Sequence, residues 1–241
     1  MIKVLVVDDS FLMRKLISDI LSSDPEIEVI GKAQNGEEAL KKIEELKPDV
    51  ITLDIIMPGI SGLDVLYEVM RTNPIPIIMV SAYTKEGAVE TINALEYGAV
   101  DFVAKPSGPI SMDMDKIREE LINKVKLAST AKVKHIIFEK PKEIIKAPKY
   151  SKKVLVIGAS SGGPPALRTV LSSLPEKFPI PILVIQHMPA GFTETFANSL
   201  KKICNIRVKE AKEGDKIESG LALSAPGGYH MALNVNIPSS L

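Results

Sequence analysis

Short apolar runs alternate with stretches of helical periodicity along most of the chain, and this alternation restricts the fold more than any other feature. IKVLVV, IEVIGKA, VITLD, IPIIMVS and VDFVAK read as strands within residues 1–125. Between them apolar residues recur at helical spacing: Leu12, Leu16 and Ile20; Ala39, Ile43 and Leu46; Val65 and Val69; Val89, Ile92 and Leu95. Ser10 is placed to cap the first helix and Pro48 to close the second, and a last helix is expected around residues 115–128. Strict βα alternation predicts a parallel sheet covered on both faces, a doubly wound (βα)5 domain. A second α/β pattern begins at Lys152 with VLVIG, PILVIQH, IRVKEA and LALSAP. Residues 126–151 are lysine-rich and carry Pro141 and Pro148, the composition of a solvated linker; Ile136, Ile137 and Phe138 offer a docking run within it.

Composition narrows the class. The 241 residues are 45% hydrophobic and 25% charged, as in an ordinary soluble protein. Lys+Arg and Asp+Glu balance at 30 each, so no global field points to nucleic acid. The apolar stretch Val4–Val7 stops at Asp8 and Asp9, too short for a signal peptide or a membrane span. The single cysteine, Cys204, excludes an intramolecular disulfide and suits a reducing compartment. A cytoplasmic protein, not embedded in a membrane, is expected. Cys204 follows a helical run and is expected in the core.

In a doubly wound sheet ligands bind outside the carboxyl ends of the strands. Asp8 and Asp9 follow the first strand, Asp54 ends the third, Ser81 the fourth, and Lys105 follows the fifth. These five residues are expected on one edge. Three crowded carboxylates favour a divalent cation, and an oxygen-only set suits Mg2+. One carboxylate could then attack a phosphoryl group, with Lys105 and the cation countering the charge on its oxygens.

The ordered set DD, D-x-x-M-P-G, S-A and K-P, each closing a strand, resembles the response-regulator receiver domain across residues 1–125. The resemblance implies Asp54 as phosphoacceptor. It implies that Asp8, Asp9, the Asp54 carboxylate and the Ile56 carbonyl hold Mg2+. Ser81 and Lys105 match the switch hydroxyl and lysine, and Phe102 the switch aromatic.

The second half carries a different pattern. VLVI ends in Gly158-Ala159-Ser160-Ser161-Gly162, which fits the G-x-S-x-G nucleophile turn, followed by Pro164, Pro165 and a helical period. IPILVIQHMP delivers His187 at the end of the next strand. A serine and a histidine on neighbouring strand ends suggest acyl transfer. An α/β-hydrolase places its histidine last, after the acid, so that fold is disfavoured. A dinucleotide site wants an acidic residue at the end of the next strand, where Gln186 and His187 stand. A purely structural glycine turn is the third alternative.

IGASSGGP, IQHMPAGFT and APGGYHM behind a receiver and a linker closely resemble the chemotaxis protein-glutamate methylesterase family, CheB. The resemblance implies Ser160 as nucleophile and His187 as general base, with no cofactor for ester hydrolysis. The substrates implied are glutamate methyl esters on methyl-accepting chemoreceptors, with glutamine deamidation as a companion activity. The implied phosphodonor is the chemotaxis histidine kinase. Ser161 would lie beside the nucleophile, Met188–Thr193 would border the cleft, and His230 is expected to be mainly structural. The family's triad acid sits in a G-M-G-x-D-G segment that does not occur before Leu241. A C-terminally truncated chain with an incomplete second doubly wound sheet is therefore expected, of domains 1–125, 126–151 and 152–241. Asp215, the one aspartate after Ser160, is expected in a solvated hairpin, KEGDKI. The rival reading is a phosphorylated signalling module whose second domain is catalytically silent.

Overall fold

The structure is a computed structural model that describes residues 1–82, 84–105, 114–133 and 153–234. The described residues form two compact units, each built on a parallel sheet.

The first unit contains β1 (Ile2–Val7), β2 (Ile27–Ala33), β3 (Val50–Asp54), β4 (Ile77–Ser81) and β5 (Asp101–Ala104) in the order β2-β1-β3-β4-β5, all parallel. The helices are α1 (Phe11–Ser22), α2 (Gly36–Leu46), α3 (Gly62–Thr72), α4 (Lys85–Glu96) and α5 (Met114–Ser129). α1 packs on α5, while α2, α3 and α4 pack in series, which covers the sheet on both faces as the alternation predicts. The chain reverses its direction of travel between β1 and β3, so the switch point lies there. Val4, Leu5, Val6 and Val7 are wholly buried, as a strand covered on both faces requires.

Each helix start is specified locally. The Ser10 hydroxyl accepts from the Met13 N–H, and Asn35 accepts from Glu38. Ser61 and Asp64 form a reciprocal capping box at α3, and Thr84 caps α4. α2 ends at Lys47 in the left-handed region, φ 48°, directly before Pro48. Two expected core residues are exposed, Leu12 at 59% and Val89 at 50%. α1 buries residues only from Ile17 onward, and the α4 stripe runs through Ala88, Thr91, Ile92 and Leu95 instead.

The second unit contains β6 (Leu155–Ala159), β7 (Ile182–Gln186), β8 (Arg207–Glu210) and β9 (Leu221–Ser224) in the order β6-β7-β9-β8, again all parallel. α6 (Gly163–Ser172) joins β6 to β7, and α7 (Phe192–Ile203) joins β7 to β8. α7 buries Phe192, Phe196, Ala197 and Leu200 at helical spacing and lies along β8. β6 is an edge, with Val156 57% exposed. One expectation is corrected. Residues 211–220 are not a hairpin, because β8 and β9 run parallel, with Val208 opposite Ala222. They form a crossover, and Asp215 is tied within it: it pairs with Lys209 Nζ at 2.6 Å and accepts from the Lys212 N–H at 2.8 Å.

α5 continues to Ser129, past the expected boundary at residue 125. Ile136, Ile137 and Phe138 lie outside the described residues. No described helix is long and apolar enough to cross a membrane.

Candidate functional site

In the first unit the strand order makes β1, β3, β4 and β5 consecutive neighbours, so their carboxyl ends form one edge. Asp8 and Asp54 are buried there and Asp9 is exposed. One carboxylate oxygen from each lies within 4.8 Å of the others. Lys105 Nζ bridges Asp54 Oδ2 at 2.7 Å and Asp8 Oδ2 at 2.8 Å. Ser81 ends β4 opposite Ala104; its side chain lies outside the description. Phe102 is buried on β5, with the Lys124 ammonium 5.2 Å from its ring centre.

Burial pushes the Asp54 carboxyl above its ordinary value, against the hydrogen bond from Lys105 and that ammonium's charge. Burial alone would lower Lys105, but its hydrogen bonds to Asp54 and Asp8 outweigh burial and raise it. The residues fit a divalent cation. All three ligand groups are oxygen donors lying within 4.8 Å of one another, and the buried Asp8 Oδ2 has the Lys105 ammonium 2.8 Å away as its counter-charge.

Two supports of this site went unnoticed in the sequence. Arg14 donates to the backbone carbonyls of Asp8 at 2.7 Å and Asp9 at 2.8 Å, holding the acidic turn from α1. Gly62 starts α3 so close to β3 that a Cβ there would stand 1.9 Å from the Asp54 carbonyl oxygen. Arg14 reads in the sequence as an ordinary exposed helical charge. The need for glycine at position 62 appears only once α3 is docked.

In the second unit Ala159 of β6 stands opposite Gln186 of β7. The next residue on each strand is Ser160 and His187, and the His187 N–H donates to the Ala159 carbonyl at 2.9 Å. The two expected residues are therefore adjacent at one end of the sheet, and both are exposed. Among the described residues neither the Ser160 hydroxyl nor the His187 ring makes a hydrogen bond. Such bonds often close only with substrate bound. Asp215 spends one carboxylate oxygen on Lys209 of β8 and the other on the Lys212 N–H of its own crossover. Its pairing with Lys209 and the Lys212 N–H holds its carboxyl below the ordinary value.

The loop after His187 is clamped. Thr193 is fully buried; its hydroxyl donates to Glu210 Oε1 at 2.5 Å and accepts from the Gly227 N–H at 3.0 Å. A Cβ at Gly227 would come within 2.6 Å of the backbone of Met188, Pro189 and Ala190, so only glycine lets these two loops meet. His230 is exposed in the loop after β9. Cys204 ends α7, and burial pushes its thiol up to about 11.

Comparison with known proteins agrees with this two-part plan. Residues 4–117 match the response regulator receiver domain and residues 155–240 the CheB methylesterase domain. The chain is 53% identical over 236 residues to a protein-glutamate methylesterase/protein-glutamine glutaminase of Halalkalibacterium halodurans, covering 95% of this chain and 67% of that one. It is 47% identical to the Bacillus subtilis protein of the same name, covering 98% and 70%. The response regulator domain of Thermotoga maritima CheB superposes with a TM-score of 0.50 at 48% identity, over 55% of this chain and 98% of that one. The chain belongs to the protein-glutamate methylesterase/protein-glutamine glutaminase family, with a receiver domain followed by a CheB-type α/β domain. It spans about two thirds of the length of the Halalkalibacterium relative.

Proposed function

We propose that the chain is a phosphorylation-controlled chemotaxis esterase of the cytoplasm, which hydrolyses glutamate methyl esters on chemoreceptors and deamidates glutamines there. The observation that carries this reading is the pairing of β6 with β7, which sets Ser160 beside His187. The Ser160 hydroxyl oxygen attacks the ester carbonyl while His187 takes its proton. The tetrahedral intermediate collapses, His187 returns the proton to the leaving methoxide, and methanol departs from an acyl-serine. Water, deprotonated by His187, then attacks that ester, restoring the serine and leaving a glutamate carboxylate. With glutamine the leaving group is ammonia.

Control resides in the first unit. The Asp54 carboxylate attacks the phosphorus of a phosphohistidine on the chemotaxis kinase, forming an acyl phosphate and freeing the imidazole. Asp8, Asp9 and Asp54 are the residues that would hold Mg2+, which when bound neutralises charge on the phosphoryl oxygens. The Lys105 ammonium, already within 2.8 Å of two of these carboxylates, holds the counter-charge, and Ser81 and Phe102 respond to the new phosphoryl group. The division into receiver 1–125, linker 126–151 and methylesterase 152–241 is part of this proposal. No observation favours a silent second domain. Incubation with methylated receptor membranes tests the reading. The chain releases methanol and Ser160→Ala does not; equal release by both excludes Ser160 as nucleophile.

A further inference from the structure

Gln186 is the last residue of β7 and is 6% exposed. Its amide nitrogen donates to the Ser160 carbonyl at 2.9 Å and to the His187 carbonyl at 3.1 Å. The amide has two N–H bonds, and both are used. Two acceptors on one side fix which way the amide points. Its oxygen, Oε1, is buried with no hydrogen-bond partner among the described residues.

Neither carbonyl takes part in the β6–β7 ladder, which ends with the His187 N–H on Ala159. Beyond that bond the two chains separate, one toward α6 and the other into the Met188–Thr193 loop. Gln186 is a side-chain hydrogen-bond link between them past the end of the sheet. Gln186 thus spans the backbones of both candidate reacting residues from a buried position.

We infer that Gln186 is a positioning residue: its amide cross-ties the backbones of Ser160 and His187 and sets the distance between hydroxyl and imidazole. This inference rests on the assignment of those two residues as nucleophile and base. The Gln186 amide bonds the two backbone carbonyls rather than the Ser160 hydroxyl or the His187 ring, so its effect falls on the chemical step rather than on substrate affinity. A displacement of about 1 Å between such groups costs on the order of 100-fold in rate.

The test compares the full chain with Gln186→Met, which keeps length without donors, and Gln186→Glu, which keeps shape but loses the donors when ionised. Ser160→Ala is the control. Three quantities are read: the rate of serine labelling by a fluorophosphonate, kcat and KM on a peptide bearing a glutamate γ-methyl ester, and amide hydrogen exchange at His187. Both Gln186 variants are expected to label and turn over about 100-fold more slowly, with KM within about twofold. Exchange at His187 is expected to rise while Leu183, inside β7, stays protected. A change confined to the unfolding midpoint, with kcat of the folded protein intact, overturns the inference. So does labelling at the wild-type rate by both variants. If Ser160→Ala labels as fast as the wild type, the nucleophile assignment fails, and the inference with it.

Discussion

Gly62 shows how much can rest on one missing side chain. A methyl group there meets the Asp54 carbonyl oxygen at 1.9 Å, and neither a helix start nor a central strand can yield that far cheaply. Gly62→Ala is expected to cost about 1–3 kcal/mol in urea unfolding, and to slow labelling of Asp54 by a small phosphodonor. Unchanged stability and labelling would show that α3 shifts freely. Thr193 makes a comparable case in the second unit. Thr193→Val strands the buried Gly227 N–H and Glu210 carboxylate, a loss of about 1–3 kcal/mol. Cys204 should be inert. With its thiol near 11, only about one molecule in a thousand carries thiolate at pH 8, so alkylation should be slow until urea exposes it. The candidate site residues Asp8, Asp54, Lys105, Ser160 and His187 were legible in the sequence because each closes an apolar strand run. Arg14, Gly62, Thr193 and Gln186 were not. Their roles are hydrogen bonds to backbone, or space denied to a Cβ, and neither leaves a periodic signal.

The strands announced themselves, since runs of four to seven residues, mostly apolar except in β8, between polar ends admit few other readings. Helix faces were read less well: Leu12 and Val89 fit the period yet face solvent, because periodicity does not say where packing begins. The crossover at residues 211–220 was misread because a glycine turn between short strands looks like a hairpin, and only register distinguishes the two. That crossover makes a pH prediction. The Asp215 carboxyl is held low by Lys209 and the Lys212 N–H in the folded chain and rises toward its ordinary 3.8 on unfolding. A depressed folded value means the contribution is fully present above about pH 4 and is lost as pH falls through the lower folded value. Unfolding midpoints of the wild type and Asp215→Asn should therefore differ at pH 6 and draw together as pH falls below about 4. A difference that does not shrink with falling pH would show that the carboxylate's charge is not what stabilises the crossover. At the start of α3, Ser61→Ala removes the capping box and should lower stability by about 1 kcal/mol, measured by urea titration.

At the scale of the whole molecule, one chain carries two parallel sheets, each placing its candidate site residues at the carboxyl ends of its strands. The first offers crowded carboxylates and a lysine, the second a serine beside a histidine. The central claim is that the second site hydrolyses esters and that the first controls it through Asp54. The most direct measurement is methanol release from methylated receptor membranes, with and without a small phosphodonor and Mg2+, by the wild type, Asp54→Ala and Ser160→Ala. The account predicts release by the wild type that rises with phosphodonor, release by Asp54→Ala that does not respond to it, and none above background from Ser160→Ala. Release by Ser160→Ala at the wild-type rate, or a full phosphodonor response in Asp54→Ala, would contradict it.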